Sequence, residues 1–351
     1  MAAIFEKIKE DNYEQIIYCN DSKVGLKAII AIHSSALGPA TGGCRMWNYR
    51  SEEEALTDVL RLSKGMTYKA SISNLPLGGG KSIIIGELSQ KTPELLKRFG
   101  DFVETLRGNY ITAKDVGIDS KDLKVIKSRT PHILGIAGEE NSSGDPSPLT
   151  AWGVFNGMKA CVEKAFQTKN LKGIHVVLQG LGAVNYNVAK HLHQEGAIIT
   201  ACDINKEATE RAKTEFGINI VNPESIFDIA CDVFSPGALG AIINSQSIPK
   251  LKCKVIAGGA NNQLATEKDG EELRKLGIYY APDYAINAGG LINIYHEREG
   301  YNRDRAYAQV AKIYDTIKMI LEISEAEKLS TNIVANRIAE DRVKEADRAR
   351  R

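Results

Sequence analysis

The chain has 351 residues, of which 43% are hydrophobic and 25% charged, and its formal net charge is +1. That length accommodates two domains at the usual size of roughly 100–200 residues each. The near-neutral balance excludes the one-signed field that recruits nucleic acid or an anionic membrane surface. Six cysteines, Cys19, Cys44, Cys161, Cys202, Cys231 and Cys253, are scattered without a C-x-x-C pair. They read as reduced thiols of a cytoplasmic protein, since a chain of this size buries a core without covalent staples. The first ten residues carry charges where a secretory leader needs an apolar run. No uncharged apolar run of about 18 residues predicts a membrane-spanning helix.

Residues 27–33 (KAIIAIH) form an apolar, β-branched run and predict a strand, followed by a glycine-rich loop over 38–45 (GPATGGCR). Ser51 and Glu54 have the spacing of a capping box. Leu56, Val59, Leu60 and Ser63 then recur at helical spacing. Residues 83–85 predict another strand, and Thr92-Pro93-Glu94 opens a helix with proline in its first position. The segment 139–148 (EENSSGDPSP) has the composition of a hinge. Beyond it, helical stretches alternate with short apolar strands at 174–179, 198–202, 219–221, 233–234 and 255–257. Such alternation predicts a parallel sheet covered by helices on both faces. Residues 306–325 and 331–345 are helical in pattern.

One turn in the second half points to a ligand. Gly180, Leu181, Gly182, Ala183, Val184 and Asn185 follow the strand IHVVLQ and lead into a helix, with Tyr186 next in line. The two glycines permit a tight turn and close approach of a pyrophosphate, which the helix N-terminus favours. Asp203 lies at about the 20-residue distance of the acid that binds an adenosine ribose. Its carboxylate would repel a 2′-phosphate, so the expected cofactor is NAD. Asn185 stands where a third glycine would serve helix–strand packing. The fold expected is therefore α/β: a mixed α/β domain over 1–138, a Rossmann-like doubly wound domain over 145–328, and a helix over 329–351 that returns to the first. No metal site is expected, because His191 and His193 are two apart on a helix and diverge.

In the first half, Lys81 follows three glycines and precedes Ser-Ile-Ile-Ile, an odd setting for a solvated lysine, and Lys69 ends a helix with few charges near it. The stretches GPATGGCRMW, GMTYKA, GGGKSIIIG, YITAKDVG, SSGDPSPLTAWGV, HLHQEGA, DINKEA, GGANNQL and APDYAINAGGLIN run along essentially the whole chain. In them the sequence resembles the glutamate/leucine/phenylalanine/valine dehydrogenases, and the leucine branch above all.

The resemblance implies NAD-dependent, reversible oxidative deamination of a small apolar L-amino acid to its 2-oxo acid and ammonia. Leucine is the first expectation, with valine and isoleucine. It also implies a homo-oligomer, from dimer to octamer. Lys69 would hold the substrate carboxylate beside the backbone of Gly42 and Gly43. Lys81 would be the base that activates water, and Asp115 the acid/base partner near the amino group. Thr150 and Asn262 would place the nicotinamide end of the cofactor or the substrate. Lys81 is expected to lose its proton near neutrality through desolvation and a second cation, Lys69, close by.

Thr41, Ala113, Leu291 and Ile294 would line the side-chain pocket. The glutamate branch has a lysine where Thr41 stands and a serine where Ile294 stands, so glutamate is disfavoured. The leucine branch usually carries leucine at Thr41 and valine at the other outer positions, which keeps phenylalanine and tryptophan open as alternatives. A catalytically silent nucleotide-binding regulator is the alternative that is not an enzyme. Retention of Lys69, Lys81 and Asp115 together speaks against it.

Overall fold

Phe5, Ile8, Lys9 and residues 11–139 and 141–350 are described in a computed structural model. Most of the N-terminal stretch considered for a leader lies outside these residues, as do Glu140 of the hinge segment and Arg351. The chain divides into two units: Met1–Gly144 with Ile294–Tyr301 and Ala339–Arg351, and Asp145–Asn293 with Asn302–Ile338.

The first unit is built on a five-stranded sheet. In chain order it has β1 (Gln15–Asp21), β2 (Leu26–Ser34), β3 (Ala40–Trp47), α1 (Glu52–Ile72), β4 (Gly78–Ile85), α2 (Pro93–Thr105), β5 (Tyr110–Lys114) and α3 (Ser120–Lys127). The strand order is β1-β2-β4-β3-β5, with β3 parallel to both β4 and β5 and β2 antiparallel to β4. Alternate residues of β2 serve opposite faces. Ile29 and Ala31 pack with Ala55, Leu56, Val59 and Leu60 of α1. Ile30 and Ile32 join Leu95, Leu96, Phe99 and Val103 of α2 and Leu123 and Ile126 of α3. A sheet covered on both faces explains why 27–33 is a continuous apolar run and not an alternating one.

The glycine-rich segment expected as a loop over 38–45 becomes strand at Ala40, and it lies inside the sheet. Its glycines are there for contact. A Cβ on Gly42 would stand 1.8 Å from the Gly80 carbonyl oxygen, and one on Gly43 would stand 2.4 Å from that of Lys114. Only a bare backbone lets three strands approach this closely. Ser51 caps α1 by accepting from the Glu54 N–H at 3.1 Å, but Glu54 reaches one residue further back, to the Arg50 N–H at 2.7 Å.

The second unit contains α4 (Ser147–Phe166), β6 (His175–Gln179), α5 (Ala183–Gln194), β7 (Ile198–Cys202), α6 (Lys206–Phe216), β8 (Asn219–Ile220), β9 (Val233–Pro236), β10 (Val255–Ile256), α7 (Glu267–Lys275) and β11 (Tyr279–Tyr280). Its sheet runs β11-β10-β9-β6-β7-β8, and every pair is parallel. The winding reverses between β6 and β9, which is the topological switch point of a doubly wound sheet. The α/β, Rossmann-like fold expected from the sequence is the one found. Short helices α8 (Asp283–Ile286) and α9 (Gly289–Tyr295) follow. The helix expected over 306–325 is two, α10 (Arg303–Ala311) and α11 (Ile313–Glu327), which meet at Lys312. The last helix, α12 (Thr331–Arg350), begins in the second unit and passes into the first at Ala339. No helix among the described residues is long and apolar enough to cross a membrane.

Candidate active site

Lys81 enters β4 directly after the three glycines, and its side chain is only 9% exposed. Its Nζ lies 2.6 Å from Oδ2 of Asp115, the residue after β5. Between their strands runs β3, in register so that Gly43 pairs with Ala113. A Cβ on Gly43 would stand 2.9 Å from the Asp115 Cβ, so the absent side chain makes room for that carboxylate. Lys81 is thus paired with an anion.

The same carboxylate oxygen meets Arg45 Nε at 3.2 Å, while Arg45 Nη1 reaches Asp58 Oδ2 at 2.8 Å. Tyr49 donates to that Asp58 oxygen at 2.7 Å, and Arg61 approaches Oδ1 at 3.1 Å. Charges therefore alternate along Lys81, Asp115, Arg45 and Asp58. Burial pushes the Asp115 carboxyl up, but Lys81 and Arg45 outweigh it and hold it below the usual carboxylate range. Asp115 is ionised at neutral pH. Arg45 and Asp58 complete this network, and sequence reasoning missed them. A signal existed, in an arginine standing between the buried Cys44 and Met46 of a central strand.

Lys69 lies half-buried in the last turn of α1. That end of the helix rests on the glycine strands. A Cβ on Gly42 would be 3.3 Å from Met66 Cγ, and one on Gly79 would be 2.1 Å from Thr67 Oγ1. The returning part of α12 holds the same turn. Tyr68 OH donates to Glu340 at 2.5 Å, Ser71 Oγ to the Ala339 carbonyl at 2.8 Å, and Arg342 to the Ser71 carbonyl at 2.8 Å. The arginine joins the Asn74 N–H already on the Ser71 carbonyl and also reaches the Ile72 carbonyl at 3.3 Å.

Of the expected pocket residues, Thr41 is fully buried in β3 and its hydroxyl donates to the Pro39 carbonyl at 3.2 Å. Ala113 is buried in β5. Ile294 is half-buried, its Cγ2 3.8 Å from where a Cβ on Gly135 would stand. Leu291 is buried and belongs to the second unit.

In the second unit the turn after β6 has the features a dinucleotide needs. Gly180 has φ +87° and donates its N–H to the Cys202 carbonyl at 2.9 Å. Gly182 is the N-cap of α5 and makes no side-chain capping bond; a Cβ on it would meet nothing within 4 Å. The open side of the turn and the positive end of the helix dipole suit a pyrophosphate. Asp203 is at the turn, its Oδ2 accepting the Leu181 N–H at 2.6 Å and its Oδ1 the Asn205 N–H at 2.7 Å. These residues fit a dinucleotide.

Asn185 is buried and donates to the Gln179 and Gly180 carbonyls at 3.3 and 3.0 Å. A Cβ on Gly237 would lie 2.0 Å from its amide nitrogen. The missing third glycine is thus offset by one on β9's exit, which receives the asparagine. Val184 is close to Gly259 (Cγ1 2.9 Å from where its Cβ would stand), and Thr150 Oγ1 is equally close to Gly290. Asn262 is exposed, at φ +52°, and its carbonyl accepts from Ala241 at 2.6 Å. Asn287 ties this loop together through the Gly259 carbonyl and Asn261 Oδ1, at 3.2 and 2.8 Å. Ala183 is exposed at the helix start. Tyr186 turns elsewhere. Its ring lies 3.6 Å from the Arg211 guanidinium and 5.2 Å from Phe216, and its hydroxyl bonds Glu215.

The family description "Glu/Leu/Phe/Val dehydrogenase, dimerisation domain" matches residues 13–132, and "Glutamate/Leucine/Phenylalanine/Valine dehydrogenase" matches residues 204–351. Leucine dehydrogenase of Bacillus cereus is 50% identical over 341 residues, covering 97% of this chain and 93% of its own. That of Geobacillus stearothermophilus is 49% identical over 348 residues, covering 99% and 95%. The crystal structure of L-tryptophan dehydrogenase from Nostoc punctiforme superposes with a TM-score of 0.88 at 44% identity, covering 98% of this chain and 99% of that one.

Proposed function

Because the chain belongs to the glutamate/leucine/phenylalanine/valine dehydrogenase family, we propose that this amino-acid dehydrogenase deaminates a small apolar L-amino acid, leucine before valine and isoleucine, with NAD as its nicotinamide dinucleotide. The products are the 2-oxo acid, ammonia and NADH. The observation that carries the reading is the 2.6 Å bond between Asp115 and a Lys81 side chain almost shut off from solvent.

When bound, the dinucleotide accepts a hydride from the substrate Cα, which leaves an iminium for water to attack. Lys69 and the Gly42–Gly43 backbone hold the substrate carboxylate. As Lys81 Nζ takes a proton from the attacking water, it gives one to Asp115 Oδ2 over their shared hydrogen bond. Asp115 then delivers it to the departing nitrogen as the carbinolamine collapses. Both transfers run over hydrogen-bond distance, where general acid–base catalysis operates. Arg45 favours the return of Asp115 to its ionised form once the proton has been delivered.

The side-chain preference follows from the residues that the resemblance assigns to it. Thr41, Ala113 and Ile294 of the first unit carry no cation, nor does Leu291 of the second, and the Thr41 hydroxyl is occupied by Pro39. A glutamate side chain would be desolvated without a countercharge, at a cost of several kcal/mol. A second reading, an aromatic amino acid, draws support from the short Thr41 side chain and from likeness to the tryptophan dehydrogenase. The Asp203 carboxylate, at the turn where the adenosine ribose would lie, supports NAD over NADP. We place the enzyme in the cytoplasm, where its six free thiols stay reduced. It works there as a homo-oligomer between dimer and octamer, in line with the dimerisation domain matched by residues 13–132.

The test is NADH formation from leucine, valine, isoleucine, phenylalanine, tryptophan and glutamate, with NAD and NADP in parallel. Leucine with NAD should give the highest kcat/KM. Preference for an aromatic substrate would favour the second reading, and no turnover with any of the six would overturn both.

A further inference from the structure

Two of the six cysteines face each other in the second unit. The bridge pairing Ala230 with Lys252 and the ladder pairing Val233 with Val255 share one parallel register, which sets Cys231 directly opposite Cys253. The Cys231 N–H donates to the Lys252 carbonyl at 3.0 Å and ties the two segments together just before the ladder begins. Neighbouring strands stand about 4.8 Å apart, inside the Cα separation that a disulfide spans. Side chains opposite each other in one register project to the same face. Both line a cavity of about 310 Å³ with Ile248, Leu251, Lys252 and Lys254, which gives a small solute access.

We propose that Cys231 and Cys253 form a peroxide-reactive dithiol that closes to a disulfide across the entry ends of β9 and β10. In the first step the Cys253 thiolate attacks a peroxide oxygen, the O–O bond breaks, and the leaving hydroxide takes up the thiol's proton as water. In the second step the Cys231 sulfur attacks the new sulfenic acid, and a second water leaves with the hydroxyl and the remaining proton. Two thiols are oxidised by two electrons and one peroxide is reduced to two waters.

The other cysteines are poor competitors. Burial pushes Cys19, Cys44 and Cys161 up to about 12 and raises Cys202 as well. Cys253 goes the other way, because the bond from Cys231 and backbone donors at Phe234 and Val255 favour its thiolate over the penalty of burial. The thiolate is the nucleophile, so reactivity concentrates at this pair. Strands run parallel here, and the glycine turn follows the exit end of β6. The dithiol therefore occupies the opposite edge of the sheet from the dinucleotide turn.

The experiment treats the full chain with hydrogen peroxide, alkylates remaining thiols under denaturing conditions, and maps peptides by mass. The expected result is one intramolecular Cys231–Cys253 link, a loss of two hydrogens in intact mass that dithiothreitol reverses, and full alkylation of the other four cysteines. In Cys231→Ser the link should vanish and Cys253 should accumulate sulfenic acid, trapped by dimedone. The proposal is overturned if Cys44 or another buried cysteine oxidises first, if the link forms between chains, or if either cysteine is over-oxidised without a link.

Discussion

Acidification should loosen the helix that carries Lys69 well before carboxylates protonate, and the residue responsible is His33. It is 8% exposed on β2, its Nδ1 2.8 Å from Thr67 Oγ1 of α1, with the Tyr13 ring edge-on at 4.9 Å and Tyr68 at 6.4 Å. Burial first, and Lys64 second, push it down to about 4, against a smaller opposite pull from Asp11 and Glu340. In the unfolded chain histidine titrates near 6.5. Between those values the unfolded state binds a proton that the folded state refuses, so stability falls as pH drops through 6.5 toward 4. At about pH 5 the loss works out at roughly 2 kcal/mol, or about 30-fold in the opening equilibrium. Hydrogen exchange over residues 52–72, corrected for intrinsic rates, reads this directly. The native chain should lose about 30-fold more protection between pH 7 and about pH 5 than His33→Gln, which keeps a polar partner for Thr67 but has no proton to gain. Equal losses in the two proteins would refute the reasoning.

Three other outcomes follow from the geometry. Gly43→Ala places a methyl 2.4 Å from the Lys114 carbonyl oxygen and 2.9 Å from Asp115 Cβ; it should cost at least ~1–3 kcal/mol by overpacking and depress kcat, as thermal melting and initial rates would show. Arg45→Met removes one of the two cations at Asp115. The acid limb of kcat/KM should then move to higher pH, toward the ordinary carboxylate range, while a purely structural role for Arg45 would leave that limb in place. Asp203→Ser removes the acceptor for Leu181 and Asn205. KM for NAD should rise, and the NADP-to-NAD ratio of kcat/KM should increase by on the order of tenfold.

Much of this architecture was legible in the sequence alone. The alternation of strands and helices beyond residue 145 announced a parallel doubly wound sheet, because each apolar run had only one way to be covered on both faces. The proline and threonine opening α2 gave its start, and Thr92 indeed accepts from Leu95 at 3.2 Å. The glycines misled, however. Glycine in 38–45 reads as loop by local propensity, whereas tertiary packing uses it to bring β3 within touching distance of β4 and β5.

Asn185 was misleading in the same way, since its role depends on Gly237, more than fifty residues away. At the candidate site, Lys81 announced itself as a charge on a buried strand. Its pairing with Asp115 depends on register between strands, and the reach of Arg45 to Asp58 on how α1 packs over them, neither of which a local pattern encodes. Tyr186 shows the converse. Nearness in sequence to a binding turn does not aim a side chain at it.

Turnover of Lys81→Ala, measured alongside NADH binding by fluorescence, bears most directly on the claim that a buried amine and its carboxylate partner move the proton. Rates should fall by ~10²–10⁴ or more, while NADH affinity stays unchanged because Gly180, Gly182 and Asp203 belong to the other unit. A variant that turned over leucine within a few-fold of the native rate would contradict the account.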